Sequence, residues 1–190
     1  MHFLWNILFD MQGDIIQIHD KQFKMIMSEK DIKHHVESVA KKINSDFKRQ
    51  NPIVIIVLKG ACIYASDLIR MFDFHCEIEF VQLSSYEGTT STGIIHQVIP
   101  FNRDITGRSV LIIEDIIDTG LTMKLFLEKL ERMNPEMIKI AVFLLKNDTL
   151  KYDVKMDYVA LEIPNKFVVG YGLDYNQHGR NLKGLYELIN

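Results

Sequence analysis

A chain of 190 residues fits one domain with a real buried core, and its 47% hydrophobic and 25% charged content is ordinary for a globular protein. A net charge of −3 gives no bulk attraction to nucleic acid or to an anionic membrane, so any polyanion must be held by a few placed cations. No apolar run is long enough to span a bilayer.

The opening Met1-His2-Phe3-Leu4-Trp5 is apolar but lacks a charged start and a small-residue cleavage site, so no signal peptide is expected. Met11 offers a second start, which would make the first ten residues a dispensable extension. Asp14 to His19 reads as a short strand. Ser28 then reads as the N-cap of a helix through about Arg49, with Ile32, Val36, Val39, Ala40, Ile43 and Phe47 on one face. His34 and His35 in that helix have no partner ligand at helical spacing and read as solvated or partly packed. The run Ile53 to Leu58 is continuously apolar, as in a strand buried on both faces of a parallel sheet. Lys59-Gly60 ends it, and 61–72 reads as a helix.

Strands are expected at 77–83, 94–99, 109–113, 137–145 and 158–162, with a helix at 119–133 and a polar stretch, Ser84 to Gly93, before the second of these strands. This alternation argues for an α/β fold with a mostly parallel central sheet flanked by helices. Cys62 and Cys76 lie near apolar sequence and in no metal-ligand spacing, so buried free thiols in a reducing cytoplasm are expected.

The most informative stretch is Glu114-Asp115-Ile116-Ile117-Asp118-Thr119-Gly120-Leu121-Thr122, where a strand hands over to a helix. Ligands of open α/β sheets bind at that edge. Helix-start N–H groups hold phosphate, and here Thr119, Gly120, Leu121 and Thr122 supply them. Glu114 and Asp115 repel phosphate and suit ribose hydroxyls or a magnesium ion. A phosphate cradle beside a carboxylate pair reads as a sugar-phosphate site.

That stretch resembles the signature of the type I phosphoribosyltransferases. Taken with Leu58-Lys59-Gly60, Ser85-Tyr86 and Lys166-Phe167-Val168-Val169-Gly170-Tyr171, in that family's order, it is similar to the hypoxanthine-guanine branch. The resemblance covers roughly residues 14–189. It implies transfer of the 5-phosphoribosyl group from phosphoribosyl pyrophosphate to hypoxanthine or guanine, with Mg2+, in purine salvage. It also implies a hood over the sheet's carboxyl edge from about 1–20 and 164–190, a lid at about 84–93, and a homodimer or homotetramer.

The resemblance distributes roles as follows. Asp118 would accept the purine's proton, where the residues alone also allow a helix cap, and the two roles are compatible. Glu114 and Asp115 would grip the ribose hydroxyls, directly or through magnesium, with Asp174 as a further metal contact. Lys59, Gly60 and Arg180 would bind pyrophosphate, the first two through a loop that in the family often contains a non-proline cis peptide. Lys146 would donate to a 6-oxopurine carbonyl, since an ammonium has donors and no acceptor. Phe167 would stack on the base, the Val168 backbone would pair with its edge, and Lys166 would contact base or pyrophosphate. Ser85 and Tyr86 would close the lid. A plain strand-end turn at Lys59-Gly60, a solvated Lys146 and a surface Arg180 are the alternatives. Ala61, where relatives often carry a second Gly, and the missing aromatic before Arg180 depart from the pattern.

Two other readings compete: a xanthine-preferring enzyme of the family, and a regulatory protein that kept the fold. The second lacks a helix-turn-helix or basic cluster. A dinucleotide or P-loop protein would need glycine motifs that are absent.

Overall fold

Ile53–Leu58, the continuously apolar run, lies at the heart of a six-stranded sheet in the computed structural model, which describes residues 14–85 and 95–189. The elements in chain order are β1 (Ile15–Ile18), β2 (Lys21–Met27), α1 (Glu29–Phe47), β3 (Ile53–Leu58), α2 (Cys62–Ile69), β4 (Glu77–Ser85) and β5 (Ile95–Ile99). They continue with β6 (Ser109–Ile117), α3 (Leu121–Glu131), β7 (Met137–Leu145), β8 (Tyr158–Glu162), β9 (Val168–Val169) and β10 (Leu185–Leu188). The large sheet runs β5-β4-β3-β6-β7-β8, parallel throughout except for the antiparallel edge strand β5.

Both faces of β3 and β6 are covered, which is why those strands read as unbroken apolar runs. Val54, Ile56, Leu111 and Ile113 pack under α1 and α2, while Ile53, Ile55, Val110 and Ile112 pack under α3 through Met123, Phe126 and Leu130. Each such side chain contributes about 1.5–3 kcal/mol by leaving water. Helix α1 starts where Ser28 caps it, the hydroxyl accepting from the Asp31 N–H at 3.3 Å. Its buried face is the one its periodicity marked. No helix among the described residues is long and apolar enough to cross a membrane.

A second, antiparallel sheet, β1-β2-β10-β9, joins the chain's beginning to its end. It is the hood, and it reaches further than 1–20: β2 runs to Met27, a strand the sequence reading missed. Phe23, Val169 and Tyr186 form its own small core, and Val168, Tyr171, Leu173 and Leu185 stitch it into the core under α1 and α2.

Two further expectations need correction. Cys62 is exposed and Cys76 half-buried, so neither is a buried thiol. Helix α2 turns Tyr64, Ala65 and Leu68 inward, which sends Cys62 to solvent. The helix expected from Thr119 starts at Leu121, because β6 continues through Ile117 and pairs with Leu145.

Candidate active site

Parallel pairing of β6 with β7 sets the first part of the site. Ile117 pairs with Leu145, so the next residue on each strand, Asp118 and Lys146, emerges side by side at the carboxyl edge. The Lys146 N–H donates to the Ile117 carbonyl at 3.1 Å, and its Nζ lies 3.7 Å from Asp118 Oδ2. Lys146 is only 8% exposed, whereas Asp118 is open to solvent. A buried ammonium whose nearest carboxylate stands off at that distance has donor capacity to spare for a ligand.

Asp118 does not cap the following helix. Gly120, at φ +84°, is the N-cap of α3, and no side chain caps it. The first helical bond is Lys124 N–H to the Gly120 carbonyl at 2.9 Å. The N–H groups of Leu121, Thr122 and Met123 therefore have no helical carbonyl to donate to, and of the four residues predicted to cradle an anion, 119–122, Leu121 and Thr122 are among these free donors. Thr119 Oγ1 sits 3.5 Å from the Leu121 N–H, at the long limit of a hydrogen bond. Thr119 and Thr122 are half-buried at the cradle's edge.

Glu114 and Asp115 occupy the preceding positions. The Asp115 N–H donates to Glu114 Oε1 at 3.0 Å, and the Ile116 N–H donates to Asp115 Oδ1 at 2.8 Å. Burial, then the neighbouring Asp115 charge, pushes the Glu114 carboxyl well above its ordinary range. Burial also raises Asp115, against hydrogen bonds and the positive Arg180. Two carboxyls packed this way in the free protein are poised for a cation or for hydroxyl donors.

Against Asp115 lies the turn after β3. The Leu58–Lys59 peptide is cis. A Cβ on Gly60 would fall 1.4 Å from Asp115 Oδ2, so only glycine fits beside that carboxylate. The hood loop closes the other side. Gly172, at φ +103°, approaches the Gly60 carbonyl so nearly that a Cβ would sit 2.1 Å from the oxygen. Arg180 NH1 donates to the Gly172 carbonyl at 2.9 Å, and its NH2 pairs with Asp174 Oδ1 at 2.6 Å. Asp174 Oδ2 also accepts from the Gln177 N–H at 2.7 Å, and Lys59 Nζ donates to Gln177 Oε1 at 3.3 Å. Lys59, Gly60, Asp115, Asp174 and Arg180 are thus one cluster, built from three distant segments. Gln177 belongs to it and was missed.

Phe167, on the hood, leaves 44% of its surface exposed, with Tyr175 edge-on at 5.9 Å between centroids. Val168 is buried in β9. Lys166 pairs with Glu187 at 2.8 Å, which ties its ammonium to β10. Ser85 ends β4, whereas Tyr86 and the rest of 86–94, most of the expected lid, lie outside the described residues. Among the described residues no three His, Cys, Asp or Glu side chains gather into a ready-made metal cluster. Glu114, Asp115 and Asp174 are therefore not a closed cage.

Residues 22–176 match the model of the phosphoribosyl transferase domain. The chain is 44% identical over 172 residues to a hypoxanthine-guanine phosphoribosyltransferase of Aquifex aeolicus, covering 90% of this chain and 97% of that protein. It is 39% identical to the Bacillus subtilis enzyme of the same name, covering 86% and 91% respectively. The crystal structure of a hypoxanthine phosphoribosyltransferase from Staphylococcus aureus superposes with a TM-score of 0.83 at 36% identity, covering 87% of this chain and 90% of that one.

Proposed function

The chain belongs to the phosphoribosyl transferase family, and from that premise we propose that it transfers the 5-phosphoribosyl group of phosphoribosyl pyrophosphate to hypoxanthine or guanine. The products are IMP or GMP and pyrophosphate, a step of purine salvage. The observation that carries the base assignment is Lys146, buried beside Asp118 at the carboxyl edge, next to the phosphate cradle.

The chemistry follows from those positions. The 5′-phosphate sits on the N–H groups of 119–122, and Glu114 and Asp115 receive the ribose hydroxyls. Pyrophosphate lies between Lys59-Gly60 and Arg180. The purine N9 lone pair forms the new bond to ribose carbon one as the bond to pyrophosphate oxygen breaks, through an oxocarbenium-like state. Lys146 donates to the 6-oxo group. Asp118 takes the proton from the imidazole ring of the base, general-base help worth about 10²–10⁴-fold. Phe167 covers the base face, with the Val168 backbone at its edge and Lys166 at the pocket's hood side.

Magnesium fits the donor set. A cation would offset the burial and the Asp115 charge that raise the Glu114 carboxyl, and Mg2+ commonly needs only one or two carboxylates plus substrate oxygens and water. Glu114, Asp115 and Asp174 would hold it. Held there, it would supply positive charge that offsets the charge of the leaving pyrophosphate.

Unpaired Cys62 and Cys76 suit a reducing compartment, the cytoplasm. Ile78 and Phe80, exposed two residues apart on β4, and Val98 on β5 suit a homo-oligomer, dimer or tetramer. The test is pyrophosphate release from phosphoribosyl pyrophosphate with hypoxanthine or guanine. Release that requires base and magnesium together is expected. Release with neither base, or the same with xanthine only, overturns the reading.

A further inference from the structure

The two halves of the pyrophosphate site come from segments more than a hundred residues apart, and something must hold them in register. Lys59 to Gln177 is an exposed side-chain bond and a weak candidate. A part-buried bond between the same two segments is a better one. Tyr171 Oη donates to Asp67 Oδ2 at 2.7 Å in a part-buried setting. Asp67 stands on α2, the helix that continues from the Lys59-Gly60 turn. Tyr171 opens the loop that carries Asp174 and Arg180.

The backbone at Tyr171 strengthens the case. Its φ is +49°, between Gly170 at +100° and Gly172 at +103°. A bulky residue in the left-handed region is uncommon and costs on the order of 1–3 kcal/mol, and such strain gathers at functional sites. Glycine would relieve it, as it does on both sides. What only the tyrosine provides is its ring, 4.9 Å from Phe143, and its hydroxyl on Asp67. The ring is anchored in the main core, and the hydroxyl reaches the helix. The Tyr171 N–H donates to the Leu182 carbonyl at 2.8 Å and the Gly172 N–H to the Arg180 carbonyl at 2.9 Å. Fixing Tyr171 therefore fixes both strands of the Arg180 loop, and presses Gly172 onto the Gly60 carbonyl.

We propose that Asp67 and Tyr171 are positioning residues that clamp the hood loop to α2, setting the separation between Lys59-Gly60 and Arg180 and thereby the affinity for the pyrophosphate moiety. This rests on the pyrophosphate role assigned to those residues above. Neither side chain touches the reacting atoms.

The test uses the full chain and magnesium pyrophosphate as the probe. Tyr171→Phe keeps the ring packing and removes only the hydroxyl. Asp67→Ala removes the acceptor, and Asp67→Asn keeps an acceptor oxygen. A hydrogen bond to a charged group is worth enough to expect about a tenfold or larger loss of pyrophosphate affinity in Tyr171→Phe and Asp67→Ala. The KM for phosphoribosyl pyrophosphate should rise with it while the KM for hypoxanthine stays near wild type. The double variant should be no worse than either single one, and Asp67→Asn should hold affinity closer to wild type than Asp67→Ala does. Amide exchange across 171–182 should quicken in Tyr171→Phe. Lowered thermal stability with unchanged pyrophosphate affinity would make the bond purely structural and overturn the proposal. Wild-type protein that binds no magnesium pyrophosphate would instead overturn the reading of the site, while unchanged amide exchange in Tyr171→Phe would overturn the clamp itself.

Discussion

Gly60→Ala is the sharpest single perturbation of the site. An added Cβ would lie 1.4 Å from Asp115 Oδ2, 2.5 Å from its Cγ and 3.2 Å from its Cβ. Ordinary contact begins at 3.4 Å, so a displacement of about 2 Å is required, and misplacement of a catalytic group by 1 Å costs on the order of 10²-fold. Rotation of the Asp115 carboxylate relieves the contact only by breaking its 2.8 Å bond from the Ile116 N–H and turning it from the ribose position. Withdrawal of the 59–61 turn instead lifts Gly60 off Gly172 and opens the pyrophosphate cluster. Either escape lowers kcat/KM for phosphoribosyl pyrophosphate by about 10²-fold or more, and overpacking removes about 1–3 kcal/mol of stability. Steady-state kinetics with hypoxanthine held saturating, beside a thermal melt, give both numbers. A Gly60→Ala protein within threefold of wild type in kcat/KM would refute the close approach of that turn to Asp115.

Two other outcomes are expected. Asp118→Asn should keep the fold and the KM for phosphoribosyl pyrophosphate while kcat falls about 10²-fold or more, and near-normal kcat would remove Asp118 from proton transfer. In the metal-free protein the Glu114 carboxyl is raised, so folding favours its protonated form. Stability should then fall as pH rises from the ordinary value of 4.5 towards the raised folded value. Glu114→Gln should flatten that fall and raise the melting temperature at neutral pH, yet abolish phosphoribosyl pyrophosphate turnover. An unchanged pH slope in the variant would contradict the assigned cause.

Much of this was legible in the sequence because two strong periodicities and one dense motif carry it. The apolar runs of β3, β6 and β7 are long, uniform and bounded by turns, so their burial on two faces shows in the residues themselves. The handover from β6 to α3 near 118–121 is local, and local geometry is what sequence spacing encodes. The hood was harder. β2 spans Lys21–Met27 with only Phe23 fully buried and Ile26 exposed beside Lys24, and β9 has two residues, too few to show a period. Cys62 misled because apolar neighbours do not reveal which way a short helix points its first turn. The Asp67–Tyr171 bond and the packing of Gly172 on Gly60 join residues over a hundred positions apart, and no spacing rule reaches that far.

The base assignment at Lys146 is tested most directly by comparing kcat/KM for hypoxanthine and adenine in the wild type and in Lys146→Ala. The ammonium donates to a 6-oxo group, whereas a 6-amino group presents further donors and leaves the charge unpaired, a mismatch that a buried site rejects by roughly 10⁴–10⁵-fold. The wild type should therefore use hypoxanthine well and adenine hardly at all, and Lys146→Ala should lose most of its hypoxanthine turnover. Adenine within tenfold of hypoxanthine in the wild type, or intact hypoxanthine turnover in Lys146→Ala, would contradict the assignment of the buried lysine as the reader of the base.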